Sequence, residues 1–298
     1  MRISFFIKLC LALFGFLAVQ KFCLKQTDSF TIASVLSSRP YDARWEARAL
    51  TMEEQEETKR AIGQKYTYFG RGGQAYIFFS EDRNYVIKLF KQEKFQVPLW
   101  LKIVHVPYLL DRYKAKKAFR RDDKLFRDFT SYKTAFEELH KETGLLYIHL
   151  NKTQLWNQQL KLVDRLGIEH LVDLDSLDFV VQRRAELVYD RIARLMRENK
   201  PEEAKKAISQ VVALIVERCQ KGFRDRDPNI RTNCGFIGEQ AVKIDVGRFE
   251  RNETMKKKEN IRSDLIRITL PFKIWLQEEY PELAAYLEAQ LNRQENQG

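Results

Sequence analysis

One stretch, KYTYFGRGGQAYIFFSEDRNYVIKLFK from Lys65 to Lys91, constrains the fold more than any other. Two aromatic, strand-like runs, YTYFG and AYIFF, flank a cluster containing Gly70, Gly72 and Gly73. The turn chemistry of SEDRN then leads into YVIKLF, a third run with strand alternation. Three successive antiparallel strands are expected. A glycine cluster between two strands argues against the dinucleotide and P-loop phosphate turns, both of which open a helix. It still lets a backbone approach a phosphate closely, with amides pointing inward. Lys88 lies in the third run, where a lysine among apolar residues must meet an anion or solvent to offset desolvation. From this stretch alone, a glycine-rich hairpin and the lid and lysine of a nucleotide site are both open readings.

The remaining chain sets the context. Its 298 residues suffice for one large domain or two small ones. A hydrophobic content of 44% with 31% charged residues marks it as globular, and a net charge of +11 favours phosphate-rich partners without choosing among them. Four cysteines and four histidines show no zinc-ligand spacing, and no GxSxG elbow marks a hydrolase. Residues 1–25 combine a basic start with the apolar run Leu9–Val19, which reads as a signal-anchor or a signal peptide. Residues 26–65 read as a linker and a short polar helix. A sheet-rich lobe is expected over 66–182, with a basic insertion at about 92–127 interrupted by Pro98 and Pro107. That insertion suits either a helical hairpin on the domain or a membrane surface. The LFRDFTSYKTAFEELHKETG stretch places Phe129, Tyr132, Phe136 and Leu139 on one helical face, ended by Gly144. Residues 156–166 are expected to be helical. A shortened helical lobe is expected over 183–298, containing a hairpin turning at Gly238-Glu239 and a helical tail broken at Pro271 and Pro281. Strands and helices so segregated make an α+β fold.

The residues GFRDRDPNIRTNCGFIGEQAVKIDVGRF, from Gly222 to Phe249, hold most of the remaining chemistry. Asp225, Asp227, Asn229, Asn233 and Asp245 are hard oxygen donors suited to magnesium, and a carboxylate among them can orient a hydroxyl. The competing structural reading is a loop held by Asx-turns around Asp-Pro-Asn.

Over residues 66–250 the chain resembles the protein kinase-like superfamily. Gly70 to Ala75 resembles its glycine-rich loop, as G-x-G-x-x-A. YVIK resembles VAIK, which makes Lys88 the phosphate lysine, and DVG resembles DFG, which makes Asp245 a magnesium ligand. The resemblance implies an acidic partner for Lys88 on the helix around Phe129–Leu139, for which Glu137 is the candidate, and a hinge at VVQRRAEL. FRD resembles HRD, and GFRDRD resembles the GxGDRH of phosphoinositide-3-kinase-type enzymes; both alignments place the base at Asp225. The asparagine expected five residues later is Ile230, so Asn233 is the better magnesium ligand, and counting back from it favours Asp227. Asn229 is a further candidate ligand.

The resemblance implies a two-lobed kinase-like fold and an ATP- and magnesium-dependent phosphotransferase, held at a membrane and facing an ATP-containing compartment. Its acceptor is left open, a hydroxyl of a protein or a small molecule. Few cysteines and a short basic anchor fit a bacterial chain, which would be exported if the segment directs secretion. Two other readings stand beside it. One is a pseudokinase serving as a membrane-tethered scaffold, which the irregular Asp–Asn spacing supports. The other is a basic membrane-surface or nucleic-acid binder whose motif matches are accidental, although nothing beyond net charge points to nucleic acid.

Overall fold

The computed structural model describes residues 2–96 and 108–296. In chain order these form α1 (Arg2–Gln26), α2 (Met52–Ile62), β1 (Lys65–Arg71), β2 (Ala75–Ser80), β3 (Tyr85–Phe90), α3 (Tyr108–Glu138), α4 (His140–Thr143) and β4 (Leu145–His149). There follow β5 (Gln159–Val163), β6 (Glu169–Asp173), β7 (Phe179–Arg183), β8 (Glu186–Leu187), α5 (Val188–Arg197), α6 (Pro201–Gln220) and β9 (Phe223–Asp225). The chain ends with α7 (Ile230–Asn233), β10 (Cys234–Ile237), β11 (Gln240–Lys243), β12 (Phe249–Arg251), α8 (Lys258–Glu279) and α9 (Pro281–Asn296). Two compact units result. A sheet-rich unit comprises Met1–Glu46, Met52–Asp122 and His149–Val181, and a helix-rich unit comprises Ala47–Thr51, Asp123–Ile148 and Gln182–Gly298.

In the sheet-rich unit the strand order is β7-β3-β2-β1-β5-β6. The expected β1-β2-β3 antiparallel run is present, with Tyr66 opposite Ser80 and Ile77 opposite Lys88. Ser80, Asp82 and Asn84 build the β2–β3 turn: Tyr85 N donates to Ser80 Oγ at 2.9 Å and Asn84 N to Asp82 Oδ1 at 2.9 Å. Within residues 156–166, read as helical from sequence, lies strand β5. Leu160 and Leu162 alternate inward, and the strand pairs in parallel with β1, so a tertiary partner decided a segment of ambiguous period.

Residues 28–46, expected to be a linker, are packed against this unit. Phe30 is buried against Tyr68, Tyr76 and Phe78, a burial that stabilises by about 1.5–3 kcal/mol. Tyr76 Oη donates to Ser29 O at 2.7 Å, Arg39 meets Asp178 at 2.6 Å, and Asp42 and Asn151 exchange two hydrogen bonds. Ahead of this strap, α1 is exposed throughout its described side chains. By length and composition its Phe5–Gln26 segment can cross a membrane. Pro98 and Pro107 lie outside the described residues. From Tyr108 the helix runs unbroken to Glu138, so the C-terminal part of the expected insertion is helical.

In the helix-rich unit α6 is central. Ile208, Val211 and Ile215 pack in a core with Ile192 and Leu195 of α5, Ile268 and Phe272 of α8 and Leu283 and Leu287 of α9. Pro201 opens α6, where its missing N–H costs nothing. The expected hairpin is β10–β11: Ile237 pairs with Gln240 across a turn in which Gly238 adopts a φ of 58°. The tail breaks at Tyr280 but not at Pro271, which lies inside α8 on its exposed side. Residues 123–148 belong to this unit rather than to the sheet-rich one, because Ser131 of α3 donates to Val246 O and accepts from Phe249 N at 2.7 Å.

Candidate functional site

The glycine turn closes the β1–β2 hairpin of the sheet-rich unit. A register shift between Tyr68 and Gly70 makes Phe69 an extra, bulged residue. Neither a positive φ nor crowding requires glycine at Gly70 or Gly73, since an added Cβ meets nothing within 4 Å at either. Glycine there leaves the backbone open to approach. Lys88 is partly buried on β3 opposite Ile77, so both side chains occupy one face of the β2–β3 ladder. A second lysine, not singled out in the sequence, holds the turn from below. Lys91 is 6% exposed, donates through Nζ to Gly72 O at 2.7 Å, and lies 4.6 Å from the Tyr76 ring centroid. Burial lowers its pKa from the ordinary lysine value.

The aspartate loop lies wholly in the helix-rich unit. Asp225 ends β9 and is 4% exposed. Its Oδ2 meets Lys243 Nζ at 2.6 Å, with Arg218 Nη1 at 4.0 Å, and its Oδ1 accepts from Asp227 N at 2.8 Å. The carboxylate that both motif alignments favoured is therefore enclosed and neutralised. Asp227 is exposed, while its carbonyl accepts from Lys243 Nζ at 2.6 Å and Asn233 Nδ2 at 3.2 Å. The loop backbone is thus fixed and the Asp227 carboxylate faces outward. Lys243 was missed because a lysine in AVKID reads as a solvent-facing strand residue until the fold buries it.

Asn233 and Asp245 are brought together by their backbones, Ile244 N donating to Asn233 O at 2.8 Å. The Asn233 amide nitrogen is spent on Asp227 O, which aims its Oδ1 elsewhere; Thr232 Oγ1 donates to it at 2.9 Å. Asp245 is exposed and accepts from Gly247 N at 3.3 Å. One amide and one carboxylate oxygen fit magnesium, which takes its other ligands from phosphate and water. Among the described residues no group of three or more His, Cys, Asp and Glu forms a metal cluster. Asn229 has a structural use. Its Oδ1 caps α7, accepting from Arg231 N at 3.0 Å and Thr232 N at 3.3 Å, as the Asx-turn reading anticipates.

Helix α3 carries the acidic candidate on its exposed side. Glu137 is exposed, accepts from Arg48 N at 3.3 Å and lies 4.0 Å from Lys133 Nζ. Phe136, the preceding residue, takes the buried face, and one residue's rotation of about 100° turns Glu137 outward. The buried acid of this helix is Asp128, three residues before Ser131, whose contacts hold the DVG turn. Lys124 pairs with its Oδ2; among the described residues Oδ1 has no hydrogen-bond donor, and Arg127 Nε lies 3.8 Å away. Burial raises its pKa above the ordinary carboxylate value. The helical periodicity put Asp128 beside Phe129 and Tyr132, a signal available in the sequence.

No family model matches the chain, and no curated protein matches it. Among solved structures it is similar to the bifunctional kinase-methyltransferase WbdD, at 12% identity and a TM-score of 0.36, over 75% of this chain and 43% of that one. It is also similar to the ROP18 kinase domain, in complex with AMP-PNP and sucrose, at 14% identity and a TM-score of 0.40, over 76% of this chain and 72% of that one. A third is Rv3197 from Mycobacterium tuberculosis, in complex with erythromycin, at 9% identity and a TM-score of 0.34, over 78% and 56%. The chain spans less than half the length of WbdD. Two of these three are described as kinases.

Proposed function

We propose that this protein is an ATP- and magnesium-dependent phosphotransferase, held at a membrane by α1, that transfers phosphate to a hydroxyl. The observation that carries the reading is the bridge made by Lys243 Nζ between the Asp225 carboxylate and the Asp227 carbonyl. It fixes the loop while leaving the Asp227 carboxylate outward. Asp227 orients the acceptor hydroxyl and takes up its proton, and Asp225 is a positioning residue that acts through the Asp227 amide. Asn233 and Asp245 would hold magnesium, which supplies charge neutralisation of the phosphates when bound. The glycine turn and Lys88 would hold the phosphates. On α3 the acidic candidates are Glu137 and the buried Asp128. Catalysis of this kind rests on positioning and electrostatics, with little covalent work by the protein.

The test is calorimetry of ATP with and without magnesium on the full chain in detergent, beside Lys88→Ala and Asp245→Ala. Binding that both variants lose or strongly weaken is the expected result. No binding by the unmodified chain would remove the nucleotide site. The pseudokinase reading has one observation in its favour: Asn233 follows Asp227 by six residues, one more than the spacing of the resembled motif. Binding without turnover would select it.

A further inference from the structure

The turn between β5 and β6 is built more firmly than a solvent loop needs. Asp164 Oδ1 accepts from Leu166 N at 2.8 Å and Ile168 N at 3.0 Å, its Oδ2 meets His170 Nε2 at 2.9 Å, and Gly167 turns with a φ of 83°. This rigid tip directs apolar side chains outward. Leu166 is 55% exposed and Ile168 52%, and Leu171 follows on the edge strand at 62%. Between them and the end of α1 stands Arg165. Its Nη1 meets Asp28 Oδ1 at 2.9 Å and donates to Lys25 O, in the last turn of the helix, at 3.4 Å.

We propose that this tip is a second membrane contact, seating Leu166 and Ile168 at the headgroup boundary of the leaflet where α1 ends. The inference rests on the reading of α1 as a membrane anchor. The 22 residues of Phe5–Gln26 span about 33 Å as a helix, enough for a hydrocarbon core of about 30 Å. Lys25 then lies at the interface, and Arg165, hydrogen-bonded to its carbonyl, lies at the same depth. The neighbouring Lys21, Lys25, Arg165 and Lys161 supply the cationic rim that suits anionic headgroups, with Lys161 directly opposite Leu171 across the β5–β6 ladder. A free tether would let the unit tumble. The strap of residues 28–46 and the Arg165 contact instead fix the tip beside the helix end, so the apolar residues reach the bilayer without a separate ordering cost.

The test uses the full chain in vesicles of phosphatidylcholine and phosphatidylglycerol. Cys10 and Cys23 are replaced by serine, and one nitroxide is placed at Phe14→Cys, Leu166→Cys or Leu155→Cys. Collision with oxygen, which concentrates in lipid, is compared with collision with a water-soluble nickel chelate. Leu155 precedes the opposite end of the β5–β6 hairpin and is 71% exposed, so it is the aqueous reference. Oxygen is expected to dominate at 14 and 166, and nickel at 155. Oxygen at 14 with nickel at 166 overturns the second contact and leaves the anchor standing. Nickel at 14 removes the anchor and the inference with it. Shielding of 166 from both reagents also overturns it, since a protein surface, not lipid, then covers the tip.

Discussion

The glycine turn and the aspartate loop are each held from beneath by a buried lysine that donates to a loop carbonyl. Lys91 reaches Gly72 O at 2.7 Å and Lys243 reaches Asp227 O at 2.6 Å. Their surroundings differ. Lys243 has the Asp225 carboxylate at 2.6 Å, whereas Lys91 rests on the Tyr76 ring and is held below its ordinary pKa by burial. A paired buried charge locks its loop, because neither partner can leave without stranding the other. A lysine resting on a ring gives a looser hold, about 0.5–2 kcal/mol. The aspartate loop is therefore fixed in place, and the glycine turn is left freer to move.

Lys243→Met should have the largest effect. It strands Asp225 and is expected to cost about 3–5 kcal/mol, read by chemical denaturation, and adding Asp225→Leu should recover most of that loss. An effect of the single variant as small as that of Lys91→Met would break the distinction. Next comes Asp227→Asn, expected to lower turnover by about 10²–10⁴-fold with an unchanged melting temperature, since its exposed carboxylate carries no structural role. Equal losses of stability in Asp227→Asn and Asp225→Asn would contradict the division of labour between the two.

Asp128→Asn sharpens the contrast from a third position. Its pKa is raised by burial, so between the unfolded and folded titration points the native state binds the extra proton, and stability falls as pH rises through that window. Above that window the full penalty is present. Asp128→Asn should therefore raise the melting temperature while weakening nucleotide binding, whereas Glu137→Gln changes neither; a fall in melting temperature would show the charge to be stabilising.

The smallest effect is at Lys91. Its folded pKa is lowered below 10.5, so the unfolded chain holds that proton more tightly. Stability should rise with pH across the alkaline window between the two titration points, and Lys91→Met should lack that increment. Superimposable pH profiles for the two proteins would mean that burial does not disturb the Lys91 charge.

Legibility in the sequence followed locality. Strands β1 to β3 and the Gly238 hairpin were readable because alternation and turn chemistry are properties of adjacent residues. The β5 segment was misread because its strand state depends on pairing with β1, and residues 28–46 because Phe30 is buried against Tyr68, Tyr76 and Phe78, which are distant in the chain. Motif spacing brought Asp225, Asp227, Asn233 and Asp245 into view together. It did not distinguish the enclosed aspartate from the exposed one, since Lys243 and Arg218, which enclose Asp225, come from different elements. Closeness to the apolar face favours Glu137 over its neighbour Glu138, whereas the acid that the fold buries is Asp128.

The central claim is that the exposed aspartate of a preset loop serves phosphoryl transfer. Its most direct test is release of labelled phosphate, or its transfer to any acceptor, from γ-labelled ATP by the full chain with magnesium, beside Asp227→Asn and Asp225→Asn. The account predicts turnover that Asp227→Asn abolishes while ATP binding and melting temperature are retained, and that Asp225→Asn lowers together with stability. Turnover unaffected by Asp227→Asn, or ATP bound with no turnover in the unmodified chain, would contradict it.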